Sequence, residues 1–319
     1  MAEAPARPSP AQPPSAVRLR GLRRDYGAVR ALDGLDLDIP AGRVFGLLGP
    51  NGAGKTTTLH ILLGILPPTS GTAEVLGLDV ARHPDAVRRR TGVLLEHDGL
   101  YERLTAEENL LFHARAHGLA DDEARSRMEA LLGPAGLWER RGDRLGTWSR
   151  GMKRRLGVVR AFLHTPSLVF LDEPTSGLDA RAAAETRELV RHRAREQGVT
   201  VVLTTHDLAE AEALCDEVAV LDAGRRVAQG PPHRLHGAET VRVEFVGTFP
   251  ARFVSGLRRR ASVRAVERGD HGITIEMDDG APVAPLVAAA VQAGAEVEEV
   301  RRVRAGLEES FLRILERGR

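Results

Sequence analysis

The 319-residue sequence predicts an α/β protein: a parallel-sheet core carrying an antiparallel β subdomain and a helical subdomain, followed by a separate α+β domain. Three observations predict it. A glycine-rich loop, Gly49-Pro50-Asn51-Gly52-Ala53-Gly54-Lys55-Thr56, sits between the apolar run Val44-Phe45-Gly46-Leu47-Leu48 and the helix-forming stretch with Leu59, Ile61, Leu62, Leu63 and Ile65. Two more short apolar runs, 167–171 and 200–204, flank a helical segment over 180–197, as buried parallel strands joined by a crossover helix do. Beyond Gly230-Pro231-Pro232 the order becomes strand, helix, strand, strand, helix, strand.

Taken in order, residues 1–16 are rich in Pro and Ala with no apolar core, which predicts a disordered tail and no secretion signal. Val17, Leu19, Leu32, Leu35, Leu37 and Ile39 alternate, predicting antiparallel strands that lead into the glycine-rich loop. Pro67-Pro68 and Ser70-Gly71 mark a break after the loop helix. Arg88-Arg89-Arg90 reads as the solvated end of a helix before a strand over 92–95. Residues 105–165 are helical in pattern: Thr105 and Glu108 make a capping box ahead of Leu110, Leu111 and Phe112. Asp121 or Asp122 is expected to cap the next helix, which carries Met128, Leu131 and Leu132. His113 and His117 have the i, i+4 spacing of a zinc-binding pair, but no third ligand is evident, so a solvated helix face is expected. Asp222-Ala223-Gly224 turns a hairpin.

The tail supplies strands at Val241/Val243/Phe245, Val263/Val266, Ile273/Ile275/Met277 and Val297/Val300, with helices at Phe253/Leu257 and 282–293. That βαββαβ order is the signature of a ferredoxin-like domain, here 238–319, ending in a helix with Leu307, Phe311, Ile314 and Leu315. The expected main domain is 17–234, its helical subdomain about 97–165.

Composition limits the function. Apolar residues make up 42% of the chain, enough for a core of good size. The 45 basic and 44 acidic side chains nearly cancel, which argues against a nucleic-acid partner. Cys215 stands alone, so no disulfide framework is available, and a reducing, cytoplasmic compartment fits. No stretch is long and apolar enough to span a membrane.

The glycine-rich loop carries the chemistry. Its backbone N–H groups curl around an oxyanion and the following helix adds its positive dipole end, so Gly49, Asn51, Gly52, Ala53, Gly54, Lys55, Thr56 and Thr57 are candidate nucleotide-binding residues. Lys55 is expected to reach the β- and γ-phosphates and Thr56 to complete a Mg²⁺ ligand set. Only Lys55 and Lys153 are lysines in this Arg-rich chain, and a planar guanidinium does not replace a compact ammonium in a tight cradle. The strand over 168–171 delivers Asp172-Glu173 to its carboxyl end: Asp172 is expected to hold Mg²⁺ and Glu173 to act on the attacking water.

With these residues in order the chain resembles the ATP-binding cassette (ABC) transporter ATPases over about 17–230. Trp148-Ser149-Arg150-Gly151-Met152 looks like the family's signature, though Trp148, Arg150 and Met152 depart from its commonest form. Leu171-Asp172-Glu173-Pro174-Thr175-Ser176-Gly177-Leu178-Asp179 and His206 follow in the family's order. The resemblance implies that Ser149 and Gly151 grip the γ-phosphate of ATP held by another subunit, that Asp179 lies in the loop joining two ATPase units, and that His206 contacts the γ-phosphate. It further implies that Tyr26 stacks on adenine and that Glu96 occupies the place of a Mg²⁺-touching glutamine. Arg150 is expected to point to water.

ATP and Mg²⁺ are the implied cofactors. The implied partners are a second copy or a homologous ATPase subunit and a membrane-spanning permease, holding the chain at the cytoplasmic face of the cell membrane. The tail resembles that of drug-exporting ATPases of the daunorubicin-resistance type, which favours export. The alternative is a soluble ABC ATPase or an ATP-dependent switch not coupled to transport.

Overall fold

The computed structural model describes residues 15–235, 240–257, 262–269, 272–278 and 281–304. The chain divides into two compact units, Met1–Gly230 and Pro231–Arg319. The first runs β1 (Ser15–Tyr26), β2 (Val29–Pro40), β3 (Val44–Leu48), α1 (Lys55–Leu62), β4 (Ser70–Val75), β5 (Leu78–Asp79), α2 (Pro84–Arg90), β6 (Thr91–Leu94), α3 (Ala106–Ala116) and α4 (Asp121–Leu132). It continues with α5 (Arg150–Phe162), β7 (Leu168–Asp172), α6 (Ala180–Gln197), β8 (Thr200–Thr205), α7 (Leu208–Leu214), β9 (Glu217–Asp222) and β10 (Arg225–Gly230).

Two sheets build this unit. β2-β1-β4-β5 is antiparallel, and the other has the order β10-β9-β3-β8-β7-β6. In the latter, β3, β6, β7, β8 and β9 run parallel and β10 turns back as a hairpin arm. Every residue of β3, β7 and β8 is buried, which is why these strands read as unbroken apolar runs. One core joins both sheets: Val17, Leu19 and Leu22 of β1 and Leu35, Leu37 and Ile39 of β2 pack with Phe45 and Leu47 of β3 and Leu59 and Leu62 of α1. Because the strands are parallel, the segments after β3, β6, β7 and β8 emerge at one sheet edge, where ligand sites of such sheets form.

The helices start where the local chemistry satisfies their N-termini. Thr105 Oγ1 accepts from Glu108 N at 3.1 Å while Glu108 Oε2 accepts from Thr105 N at 2.8 Å, the expected capping box of α3. Ser149 caps α5 and Asp179 caps α6, each accepting from the third residue of the turn. The cap expected for α4 is different. Asp121 opens the helix and Ala120 is the cap residue, because the Asp121 carboxylate is held by Arg115 at 2.6 and 2.8 Å. β4 and β5 lie where only a break was expected: Ser-Gly-Thr-Ala-Glu-Val is too polar to announce a strand, and its pairing with β1 makes it one. β1 also begins at Ser15, with Ala16 buried, two residues before its expected start.

The second unit contains α8 (Pro232–Leu235), β11 (Thr240–Thr248), α9 (Ala251–Leu257), β12 (Val263–Gly269), β13 (Gly272–Asp278), α10 (Ala284–Gln292) and β14 (Glu296–Arg304). Its antiparallel sheet has the order β12-β13-β11-β14. Phe245, Phe253, Leu257, Ile273, Ile275, Met277 and Leu286 form its separate core. The expected helix with Leu307 to Leu315 and the start of the expected tail lie outside the described residues. No helix among the described residues is long and apolar enough to cross a membrane.

Candidate functional site

The glycine-rich loop leaves the end of β3 and turns directly into α1. Gly54 sits before the helix at φ +101, and a Cβ there would lie 2.6 Å from Leu32 Cδ2 and 2.7 Å from the Ala31 carbonyl. Only glycine lets the loop close at this point. Lys55 is buried beneath the loop and its Nζ donates to the Gly49 carbonyl at 2.6 Å and the Pro50 carbonyl at 3.1 Å. Burial holds its ammonium below the ordinary lysine range, while Glu173 and Asp172 pull the other way.

Asp172, the last residue of β7, is buried between two hydroxyls. Thr56 Oγ1 donates to its Oδ2 at 3.3 Å, and Thr204 Oγ1 of β8 donates to its Oδ1. Glu173 follows at φ +48, a left-handed conformation that costs about 1 kcal/mol or more for a residue with a side chain. Its N–H donates to both the carbonyl and Oγ1 of Thr204, each at 3.1 Å, which holds the strained turn. The turn redirects the Glu173 carboxylate to His206, whose Nδ1 lies 2.8 Å from Oε1. His206 is fixed between the end of β8 and Asp207, which caps α7 by accepting from Ala209 N at 2.9 Å and Glu210 N at 3.1 Å.

A cavity of about 370 Å³ opens over these groups, lined by Asn51, Thr56, Glu96, Asp98, Arg150, Arg154, Asp172, Glu173 and Ser176. Arg154, reaching in from α5, ties its walls together. It donates to the carbonyls of Leu95 at 2.8 Å, Glu96 at 3.3 Å and Glu173 at 3.0 Å, to the Asp172 carbonyl, and to Asp98 Oδ1 at 2.8 Å.

The structure thus brings Asn51, Lys55, Thr56, Glu96, Asp172, Glu173 and His206 together. Gly49, Gly52, Ala53, Gly54 and Thr57 lie on the loop and the first turn of α1 around them. Ser149, Gly151 and Asp179 lie at the starts of α5 and α6 and do not line this cavity. Tyr26 is exposed at the end of β1, with the Arg24 guanidinium 4.6 Å from its ring centroid. Arg150, expected to face only water, is exposed but also lines the cavity. Sequence reasoning missed Asp98, Arg154 and Thr204: each acts through contacts to residues distant in the chain, and no local pattern announces them.

Two other expectations concern side groups. Cys215 is buried and burial pushes its thiol up from the ordinary range, which suits an inert core residue. His113 and His117 do not form a solvated face; both are half-buried and meet His164, which follows α5.

The donor set suits a hard divalent cation. Glu96, Asp98, Asp172 and Glu173 crowd carboxylates around the Thr56 hydroxyl in one cavity, with the Lys55 ammonium turned to backbone carbonyls. The same loop and helix end offer N–H groups to phosphate.

The chain is similar to known ATP-binding cassettes. The family model described as "ABC transporter" matches residues 32–176. The chain is 41% identical over 270 residues to the daunorubicin/doxorubicin resistance ATP-binding protein DrrA of Streptomyces peucetius, covering 84% of this chain and 79% of that protein. It is 44% identical over 220 residues to the Nod factor export ATP-binding protein I of Ralstonia nicotianae, covering 68% of this chain and 67% of that protein. Among solved structures, it resembles a dimeric, post-hydrolysis ATP-binding cassette bound to ADP and Pi, with a TM-score of 0.62 and 25% identity, over 68% of this chain and 98% of that one.

Proposed function

The chain belongs to the ABC transporter ATP-binding family, and from that premise we propose that it hydrolyses ATP to energise export through a separate membrane-spanning permease. The observation that carries the proposal is the placement of Glu173. Its carboxylate lines the cavity beside Thr56 and Asp172, is turned there by a strained backbone, and is paired with His206.

In this reading the N–H groups of 49–57 and the Lys55 ammonium hold the phosphates, and Tyr26 stacks on adenine. Thr56 and Asp172, joined by Glu96, would hold Mg²⁺, which would supply neutralisation of phosphate charge and polarisation of the γ-phosphoryl group. Glu173 takes a proton from the attacking water, and His206 orients that carboxylate and reaches the γ-phosphate edge. Products are ADP and phosphate.

Ser149 and Gly151 stand outside the cavity of their own chain, at a helix N-terminus whose capping hydroxyl keeps a proton to donate. They complete the site of a second copy, or of a homologous subunit, with Asp179 in the loops between the two. The similarity to a dimeric cassette supports this arrangement. ATP closes the pair and hydrolysis releases it, which moves the permease. The cytoplasmic face of the membrane, through that permease, is the proposed location. The export direction and a drug- or antibiotic-like hydrophobic cargo rest on the names of the relatives. The second unit is proposed to be a ferredoxin-like accessory domain, supported by its sheet order.

Affinity capture from detergent-solubilised membranes, with ATP and the Glu173→Gln chain as bait, tests the transport assignment. Recovery of a multi-spanning membrane protein is expected; recovery of soluble partners or ribosomes alone would move the function to a soluble ATPase and leave the nucleotide chemistry standing.

A further inference from the structure

Away from the nucleotide cavity, three imidazoles converge where α3 packs near the end of α5. His113 and His117 are one helical turn apart, with ring centroids separated by 4.6 Å. His164 comes from the segment after α5: it stacks on His117 at 3.8 Å and 21°, and meets His113 edge-on at 5.8 Å. One ring nitrogen from each lies within 4.8 Å of the others. All three rings are half-buried.

These rings are poorly explained as packing alone. Nε2 of His113 is buried with no hydrogen-bond partner, and the ring nitrogens of His164 are buried with only a loose contact to the Thr91 backbone. Buried polar atoms are seldom left so, and each such atom weakens the fold unless a partner arrives. A Leu or Met at these positions would fill the space without that penalty.

We propose that His113, His117 and His164 form a binding site for a divalent transition-metal ion of the zinc class. Three neutral imidazoles are a sufficient protein ligand set for such an ion, leaving a fourth position for water or another donor. His113 and His117 line a cavity of about 330 Å³, which provides both an entry path and room for that fourth ligand. Ring rotations close the nitrogens onto a common centre, since metal–nitrogen bonds of about 2.0–2.1 Å require tighter spacing than the free rings show.

The surroundings select the class of ion. Burial and the neighbouring charges favour the neutral form of His113 and His164, against a hydrogen bond to the Thr91 backbone that favours the charged form of His164; neutral imidazole is the form that binds metal. Arg88, Arg89 and Arg160 also line the cavity, so an ion there must be held by direct bonds to the imidazoles. No carboxylate belongs to the triad. The cavity's one lining carboxylate, Asp85, is paired with Arg88, so the site offers imidazole nitrogen rather than the oxygen ligands that Mg²⁺ and Ca²⁺ need, and suits Zn²⁺, Co²⁺, Ni²⁺ or Cu²⁺. The bound ion would clamp α3 to the end of α5 within the helical subdomain, a role independent of the ATPase reading.

The test is a Co²⁺ titration of the full-length, chelator-stripped chain at neutral pH, followed by visible absorption and by displacement with Zn²⁺. With excess Mg²⁺ present to occupy the carboxylates of the nucleotide cavity, expected are one Co²⁺ per chain with ligand-field bands, and a rise in the unfolding temperature when Zn²⁺ is present. His164→Phe and, separately, the milder His117→Gln are each expected to weaken binding by about tenfold or more and to abolish the thermal shift. Far-UV circular dichroism and retained ATP binding establish that the variants fold. His206→Ala, which alters the nucleotide site, is expected to keep the Co²⁺ bands. Absence of binding at about 100 μM Co²⁺ would overturn the proposal, since three imidazole ligands should bind more tightly than that. So would binding that survives in folded His164→Phe and His117→Gln, or that disappears in His206→Ala.

Discussion

His206 Nδ1 lies 2.8 Å from Glu173 Oε1, so the residue that follows β8 holds the carboxylate that follows β7. Neither residue is positioned by its own strand alone. Thr204 accepts the Glu173 N–H and donates to Asp172, so β8 fixes both neighbouring acids and the histidine that faces them. In the proposed mechanism, a carboxylate aimed in this way loses little freedom on reaching the attacking water.

Replacing His206 by Ala is expected to lower ATP turnover by about 100-fold while ATP affinity changes by less than about threefold, because the histidine orients a reacting group more than it holds the nucleotide. Phosphate release at saturating ATP, beside nucleotide binding measured by calorimetry, separates the two effects. A loss of affinity as large as the loss of turnover would make His206 a binding residue instead.

Arg154 spans α5, the segment after β6 and the end of β7, and its side chain is 8% exposed. Arg154→Met leaves Asp98 and several carbonyls without their donor, and is expected to cost about 3 kcal/mol of unfolding free energy. Arg154→Lys is expected to restore little, since one ammonium does not reproduce a planar fork of donors. Urea denaturation of the three chains checks the order.

Glu210 is buried 2% exposed in α7, and burial raises its carboxyl above the usual range although Thr175 donates to it at 2.6 Å. A raised folded-state value means that the contribution of this group to stability is full below its ordinary value of 4.5 and is lost as pH rises through the folded one. Glu210→Gln keeps an acceptor for Thr175 and removes the ionisation. Its unfolding temperature relative to the parent is expected to be higher at neutral pH than at about pH 4, where the parent carboxyl is protonated. An unfolding-temperature difference that does not vary with pH would contradict this.

The position of the glycine-rich loop and of Asp172-Glu173 was legible because each is a contiguous segment that a parallel strand delivers to one cavity. Gly54 could be read as obligatory before its clash with Leu32 and Ala31 was known, since the loop chemistry alone demands it. Arg154 and Asp98 could not be read, because they are 56 residues apart and meet only when α5 packs on β6 and β7. His164 escaped for the same reason: the His113/His117 spacing was visible, but the third ring arrives from the segment after a different helix. β4 was invisible for an energetic reason, its strand character being supplied by β1 rather than by its own side chains. Asp121 shows the converse, a residue with good capping chemistry taken by a nearby guanidinium.

The central claim is that Glu173 performs the proton transfer in a site shared by two chains. It is tested most directly by measuring ATP turnover and solution mass for the parent and Glu173→Gln chains, with and without ATP and Mg²⁺. The expected result is a turnover loss of about 100-fold or more in the variant, with ATP still bound and the mass shifting from one chain to two. A variant that keeps its turnover, or that binds ATP and remains a single chain, would contradict the account.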